Sequence, residues 1–89
     1  MNLREKIRDY IIEASLSNAE LVKDETLIFE QGLLDSMGLL FLVQFLKEEF
    51  KVETDDFELD RENFESINAI VSFVDRKLET TNIHTSILE

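Results

Sequence analysis

The sequence predicts an all-α domain, and three observations carry that expectation. The chain has no proline and only two glycines, Gly32 and Gly38, so strands joined by tight turns have little to turn on. Apolar residues recur at helical spacing in three separate stretches. At 89 residues there is room for one domain, and a 44% hydrophobic composition supplies a core. With no cysteine to staple it, that core must come from well-packed elements.

Asn2 is placed to cap a first helix over Leu3 to Ser15, where Leu3, Ile7, Tyr10, Ile11 and Ala14 form one stripe. A connection of about twenty residues follows, Leu16 to Asp35, longer than helix–helix connections usually are. Leu16, Leu21, Val22, Leu27, Ile28, Phe29, Leu33 and Leu34 make it an ordered, packed loop with a helical turn or two, rather than a disordered linker. Loops of that kind often position a functional residue at their end.

The second helix is expected over Ser36 to Phe50. At 100° per residue, Leu39, Leu42, Val43, Leu46 and Phe50 share the core face. Met37 and Phe41 project oppositely, beside Gln44 and Glu48, with Leu40 and Phe45 between the two faces. Either this is a central helix covered all round, or Met37 and Phe41 form an exposed apolar patch of the kind that marks docking sites. A domain this small can hardly cover a helix on every side, which favours the patch.

Glu48 to Glu65 holds nine carboxylates against Lys51 and Arg61. Asp55 to Asp60 resembles half of a calcium loop but lacks its glycine and terminal glutamate, so no metal site is assigned. Phe57, Leu59 and Phe64 are expected to anchor this acidic loop, with a short third helix around Arg61 to Phe64. Ser66 then caps a final helix from Ile67 to about Leu78. Its stripe is Ile67, Ile70, Val71, Val74 and Leu78, with Phe73 to one side and Arg76 and Lys77 in its last turn. The domain is drawn as residues 1–79, followed by a mobile polar tail, 80–89.

The net charge of −11, from 20 acidic and 9 basic residues, argues against nucleic acid as a partner. It suits partners with basic docking surfaces, and equally it keeps a small monomer soluble. Met1 to Lys6 does not resemble a signal peptide, and the longest apolar run, Gly38 to Val43, is too short for membrane insertion. A cytoplasmic protein is expected.

The most informative stretch is Leu33-Leu34-Asp35-Ser36-Met37, where the long loop hands over to the second helix. A serine there is exposed, and the unpaired N–H groups and dipole of the helix start favour an attached phosphate. The plainer alternative is that Asp35 or Ser36 merely caps the helix. A nucleophile elbow is nearly matched by Leu34-Asp35-Ser36-Met37-Gly38, but Leu34 replaces the required glycine and no strand precedes it. The sole histidine, His84, lies in the tail, so Ser36 lacks a general base. Zinc clusters and glycine-rich phosphate cradles are absent from the sequence. No enzyme is expected: chemistry at Ser36 is done to it, not by it.

From Leu3 to Leu78 the chain resembles the acyl carrier proteins. The resemblance rests on Asp35-Ser36-Met37 at the end of the long loop, with Phe29 seven residues upstream and Phe50 fourteen downstream, and on the entry Phe64-Glu65-Ser66-Ile67. It implies a four-helix acyl-carrier-type bundle whose Ser36, flanked by Asp35, receives 4′-phosphopantetheine from coenzyme A through a phosphopantetheinyl transferase. The arm's thiol then holds an acyl or aminoacyl group as a thioester. A loading ligase and downstream acyl-processing enzymes are the implied partners, docking on Met37, Leu40, Phe41, Gln44 and Glu48. Gly38, Phe41 and Lys47 stand where the fatty-acid-synthesis type carries acids on its second helix, so docking there should be more apolar. The Asp-Ser-Met-Gly element instead looks like the D-alanyl carrier proteins of cell-wall modification. Fatty-acid-like and specialised biosynthesis remain open as pathways. The alternative of another class is a non-catalytic helical adaptor docking through Met37, Phe41 and the acidic loop. The aromatic residues of the second helix lead us to expect a mostly filled core.

Overall fold

The computed structural model describes the backbone of residues 2–88, and the side chains of these except Ala19 and residues 80–88. Four α-helices make the fold: α1 (Leu3–Ser15), α2 (Ser36–Phe50), α3 (Arg61–Phe64) and α4 (Ile67–Leu88). Two single 3₁₀ turns, Ala19–Leu21 and Asp56–Glu58, interrupt the connections, and no strand occurs among the described residues.

Helix α1 starts where the Asn2 side chain accepts the Glu5 N–H at 2.8 Å. It ends at Leu16, whose left-handed backbone (φ 57°) lets its N–H reach the Glu13 carbonyl at 3.2 Å. Helices α1 and α2 run antiparallel. Lys6 Nζ meets Glu49 at 3.0 Å, and the Tyr10 and Phe45 rings stack at 4.2 Å. Ala14 faces the α2 residues Met37, Gly38 and Phe41 across a surface hollow. Helix α4 is capped by Ser66, whose hydroxyl accepts the Ala69 N–H at 3.1 Å.

The core draws on every helix and on the long loop. Ile7, Ile11, Val22, Ile28, Leu42, Leu46, Phe64, Ile67, Ile70 and Val74 are fully buried. Each such side chain contributes about 1.5–3 kcal/mol through the area it takes from water. The loop is tied down as well as buried. Ile28 N–H donates to the Glu65 carbonyl at 2.7 Å, and Asn68 N–H donates to the Asp24 carbonyl at 3.0 Å. The Asp24 carboxylate pairs with both Arg8 and Arg4, and Arg4 also donates to Asn68 Oδ1 at 2.7 Å. Asp24 therefore links α1 through its carboxylate and the start of α4 through its backbone carbonyl.

Several expectations need correction. Leu16 and Leu21 are exposed (94% and 71%), so the loop packs through Val22, Ile28 and Leu34. Leu16 occupies the left-handed cap position and Leu21 a 3₁₀ turn, and both backbone geometries leave the side chain in solvent. On α2 only Leu42 and Leu46 are fully buried, while Leu39, Val43 and Phe50 pack at the edge of the core. Phe57 anchors nothing and is 84% exposed. Its turn is held by its neighbours instead: Asp55 N–H donates to the Glu58 carboxylate at 2.9 Å, which also accepts from Lys77 at 2.8 Å. Phe73, expected to one side of the α4 stripe, is buried there, 5.0 Å from the Phe64 ring, and needs no correction. Finally, α4 continues ten residues past Leu78, because no glycine or proline stops it. Arg76 and Lys77 consequently sit mid-helix, where they reach Asn63 and Glu58.

Candidate functional site

The end of the loop is a closed turn. Gln31 N–H donates to the Leu27 carbonyl and Gly32 N–H to that of Phe29, at 2.9 and 3.1 Å. The Ile28 carbonyl accepts from Leu33 at 2.9 Å and Leu34 at 3.4 Å. Gly32 sits at φ +76°, a left-handed conformation that costs a glycine little and most other residues more. Leu34 then inserts into the core, at 8% exposure, and Asp35 begins the helix.

Asp35 is the cap. Its backbone is extended and its carboxylate accepts the Gly38 N–H at 2.8 Å, while its carbonyl accepts from Leu39 at 3.0 Å. That resolves the ambiguity between two adjacent cap-forming residues. Ser36 is the first helical residue, exposed, and its hydroxyl enters none of the hydrogen bonds among the described residues. The hydroxyl is thus presented on a rigid support, at the positive end of a fifteen-residue helix.

Gly38 has a contact role that sequence reasoning missed. A Cβ there would lie 3.0 Å from Leu34 Cβ and 3.2 Å from Leu34 Cδ2, so the missing side chain lets the loop close onto the first turn of α2. Beyond Gly38, the outer face of the helix is apolar. Met37, Leu40 and Phe41 are exposed at 57%, 54% and 60%. Gln44 and Glu48 continue this face, exposed and hydrogen-bonded to each other at 3.0 Å. The first turn of α2 carries no acid, and its cap Asp35 is the nearest negative charge to Ser36 along this helix. Between the end of α1 and the first two turns of α2 lies an open hollow of about 400 Å³, lined by Asp35, Met37 and Gly38 but not by Ser36.

No family model matches the chain. Individual proteins do. It is 34% identical over 74 residues to a D-alanyl carrier protein of Streptococcus uberis, covering 83% of this chain and 92% of that one. It is 33% identical over 76 residues to an acyl carrier protein of Campylobacter concisus, covering 85% and 96%. The chain belongs to the acyl carrier protein family. The solution structure of a holo acyl carrier protein from Nitrosomonas europaea shares the fold, with a TM-score of 0.73, 23% identity, and coverage of 89% of this chain and 99% of that one. Acyl carrier proteins are carriers and not catalysts. The exposed face of α2 is therefore the face of a carrier, and the adaptor reading is set aside. No helix of the described residues is long and apolar enough to cross a membrane.

Proposed function

We propose that Ser36 is the attachment point of the family's 4′-phosphopantetheine, so that this chain carries an acyl or aminoacyl group as a thioester and presents it to partner enzymes. The observation that supports this most directly is the division of labour at the start of α2. Asp35 satisfies the cap, which leaves the Ser36 hydroxyl exposed and unengaged. When bound, the arm supplies the thiol on which cargo is held. The chain's own residues do the rest. The N–H groups at the start of α2 that Asp35 leaves uncapped would favour an anionic phosphodiester at Ser36, and the closed turn Leu27 to Leu34 fixes the helix start in space.

Met37, Leu40 and Phe41, continued by Gln44 and Glu48, form the partner face in this reading. A phosphopantetheinyl transferase, a loading ligase and acyl-processing enzymes meet it in turn in the cytoplasm. With apolar side chains where an acidic helix would meet a basic patch, recognition here depends more on a complementary apolar pocket than on charge. The test is intact mass after incubation with coenzyme A and a broad-specificity transferase. A gain of one phosphopantetheine in the native chain and none in Ser36→Ala is expected. A gain that survives Ser36→Ala refutes the assignment.

A further inference from the structure

We propose that Lys47 and Lys51 form a site for a carboxylate within reach of the arm on Ser36, so that this carrier takes an acyl cargo whose free end is acidic. The inference rests on Ser36 being the attachment point. Direction, charge and reach carry it.

Direction comes from the helix. At 100° per residue, Leu40, Lys47 and Lys51 lie within about 60° of Ser36 around α2, so one side of the helix carries them all. Leu40 is 54% exposed, and both lysines are exposed. An arm leaving Ser36 along this side passes Leu40 and arrives at the two ammonium groups. It meets there an open groove at the end of α2, lined by Lys47, Lys51 and, from α4, Lys77.

Charge singles out the same two lysines. In a chain of 20 acidic and 9 basic residues, a cation finds opposite charges easily. Among the described residues Arg4 and Arg8 pair with Asp24, Lys6 with Glu49 and Lys77 with Glu58. Lys51 enters no ion pair there, and Lys47 enters one, with Glu53 at 3.8 Å, between side chains 59% and 78% exposed. A pair that long and that exposed holds little, so Lys47 is free to turn to another anion. The groove's own carboxylates stand off the Ser36 side. Glu48 lies about 120° from Ser36 around the helix and accepts from Gln44 at 3.0 Å, while Glu53 and Asp55 lie beyond the helix end. A lysine near a helix C-terminus also suits the dipole, but the dipole sets no preference for the side that carries Ser36.

Reach agrees with both. Lys47 and Lys51 stand about 16 and 22 Å along the axis from Ser36, at 1.5 Å per residue. Three chain bonds of an extended backbone span roughly 3.3–3.6 Å, so the ~14 bonds from the serine oxygen to the arm's thiol extend about 16 Å. A four-carbon diacid held as a monothioester carries its carboxylate about 5 Å further, to the level of the two lysines. Such an end group stays outside, because an ionised carboxylate is costly to bury among the apolar side chains of the core. A cargo ending in an ammonium group gains nothing from the pair.

The experiment loads Ser36 from succinyl-coenzyme A or from butyryl-coenzyme A with a broad-specificity transferase, giving two arms of equal length that differ in one charge. Mass spectrometry establishes each product first. In ¹H–¹⁵N NMR the two loaded carriers should differ at Gln44, Lys47 and Lys51, with the larger shifts from the succinyl arm. The difference should fade between about 0.01 M and 1 M salt, as the screening length drops from about 30 Å to about 3 Å. Lys47→Gln combined with Lys51→Gln should remove it, whereas Lys23→Gln, at an exposed lysine of the long loop, should not. Equal shifts from the two acyl groups, or a difference that survives the double substitution, overturn the inference and leave the carrier assignment intact. No mass gain at Ser36 removes both.

Discussion

Replacing Gly38 with alanine tests how the site is built. In an unhindered helix this change stabilises, by roughly 0.8–1.0 kcal/mol in a helix interior and less in a first turn. At this position the new methyl group meets Leu34 at 3.0 and 3.2 Å. The Cβ of Leu34 cannot rotate away, and the residue is 8% exposed and held through the backbone to Ile28, so the loop must shift by a few tenths of an ångström. Overpacking of this kind costs about 1–3 kcal/mol. The cost exceeds the gain, leaving a net loss of about 1 kcal/mol, which for a domain of this size lowers Tm by roughly 4–8 °C. Thermal denaturation followed by far-UV circular dichroism measures it. Urea titration should show a lower midpoint with an unchanged slope. The Asp35 cap survives, since its Oδ1 is 3.5 Å from the added carbon, an ordinary contact. A Tm equal to or above that of the native chain would refute the close approach of loop and helix.

Asp35→Ala removes the acceptor for the Gly38 N–H and should cost about 1 kcal/mol in thermal denaturation, while Asp35→Asn keeps most of the stability. Phe41→Glu leaves Tm nearly unchanged, because the side chain is 60% exposed, but weakens the partner face: loading by the transferase should slow about tenfold, read as a rise in KM. Burial pushes the Glu58 carboxyl up, yet the hydrogen bonds from Lys77 and the Asp55 amide, with the charges of Lys77 and Arg76, outweigh it and hold the group below the ordinary carboxylate value. Its contribution to stability is complete above the unfolded-state pKa and is lost as pH falls through the depressed one. Stability measured against pH should therefore decline less steeply on the acid side in Glu58→Gln than in the native chain.

Residues that act within a few positions of themselves were the legible ones. The Asn2 cap, the stripe Ile7–Ile11 and the pair Ser66–Ile67 delimit helices by local hydrogen bonds and spacing, so α1 and the starts of α2 and α4 could be read directly. Asp35 and Ser36 could not be told apart as caps, because both residue types suit the position and only the backbone decides between them. Phe57 does not anchor its loop as expected, because hydrophobicity says nothing about where a side chain points in an irregular turn. The position of Phe73 beside the α4 stripe was legible, but its partner Phe64 on α3 was not. The fit of Gly38 against Leu34 and the pairing of Asp24 with Arg4 and Arg8 are tertiary, and no spacing rule announces them. The end of α4 lacked a stop signal, and two basic residues that suit a last turn were serving Glu58 and Asn63 instead.

The tie at Asp24 bears on how this protein comes apart. Ordinarily a twenty-residue connection is the first part of a domain to open, exchanging its amide hydrogens long before the helices do. Here the Ile28 N–H is held by Glu65, and the Asp24 carbonyl holds Asn68 at the head of α4. Arg4 and Arg8 of α1 grip the same aspartate. Releasing the connection therefore means uncoupling α1 from α4, so loop and helices form a single cooperative unit. Amide exchange at Ile28 should track that of Ile70 in the core, with the serine's platform persisting for as long as the molecule is folded.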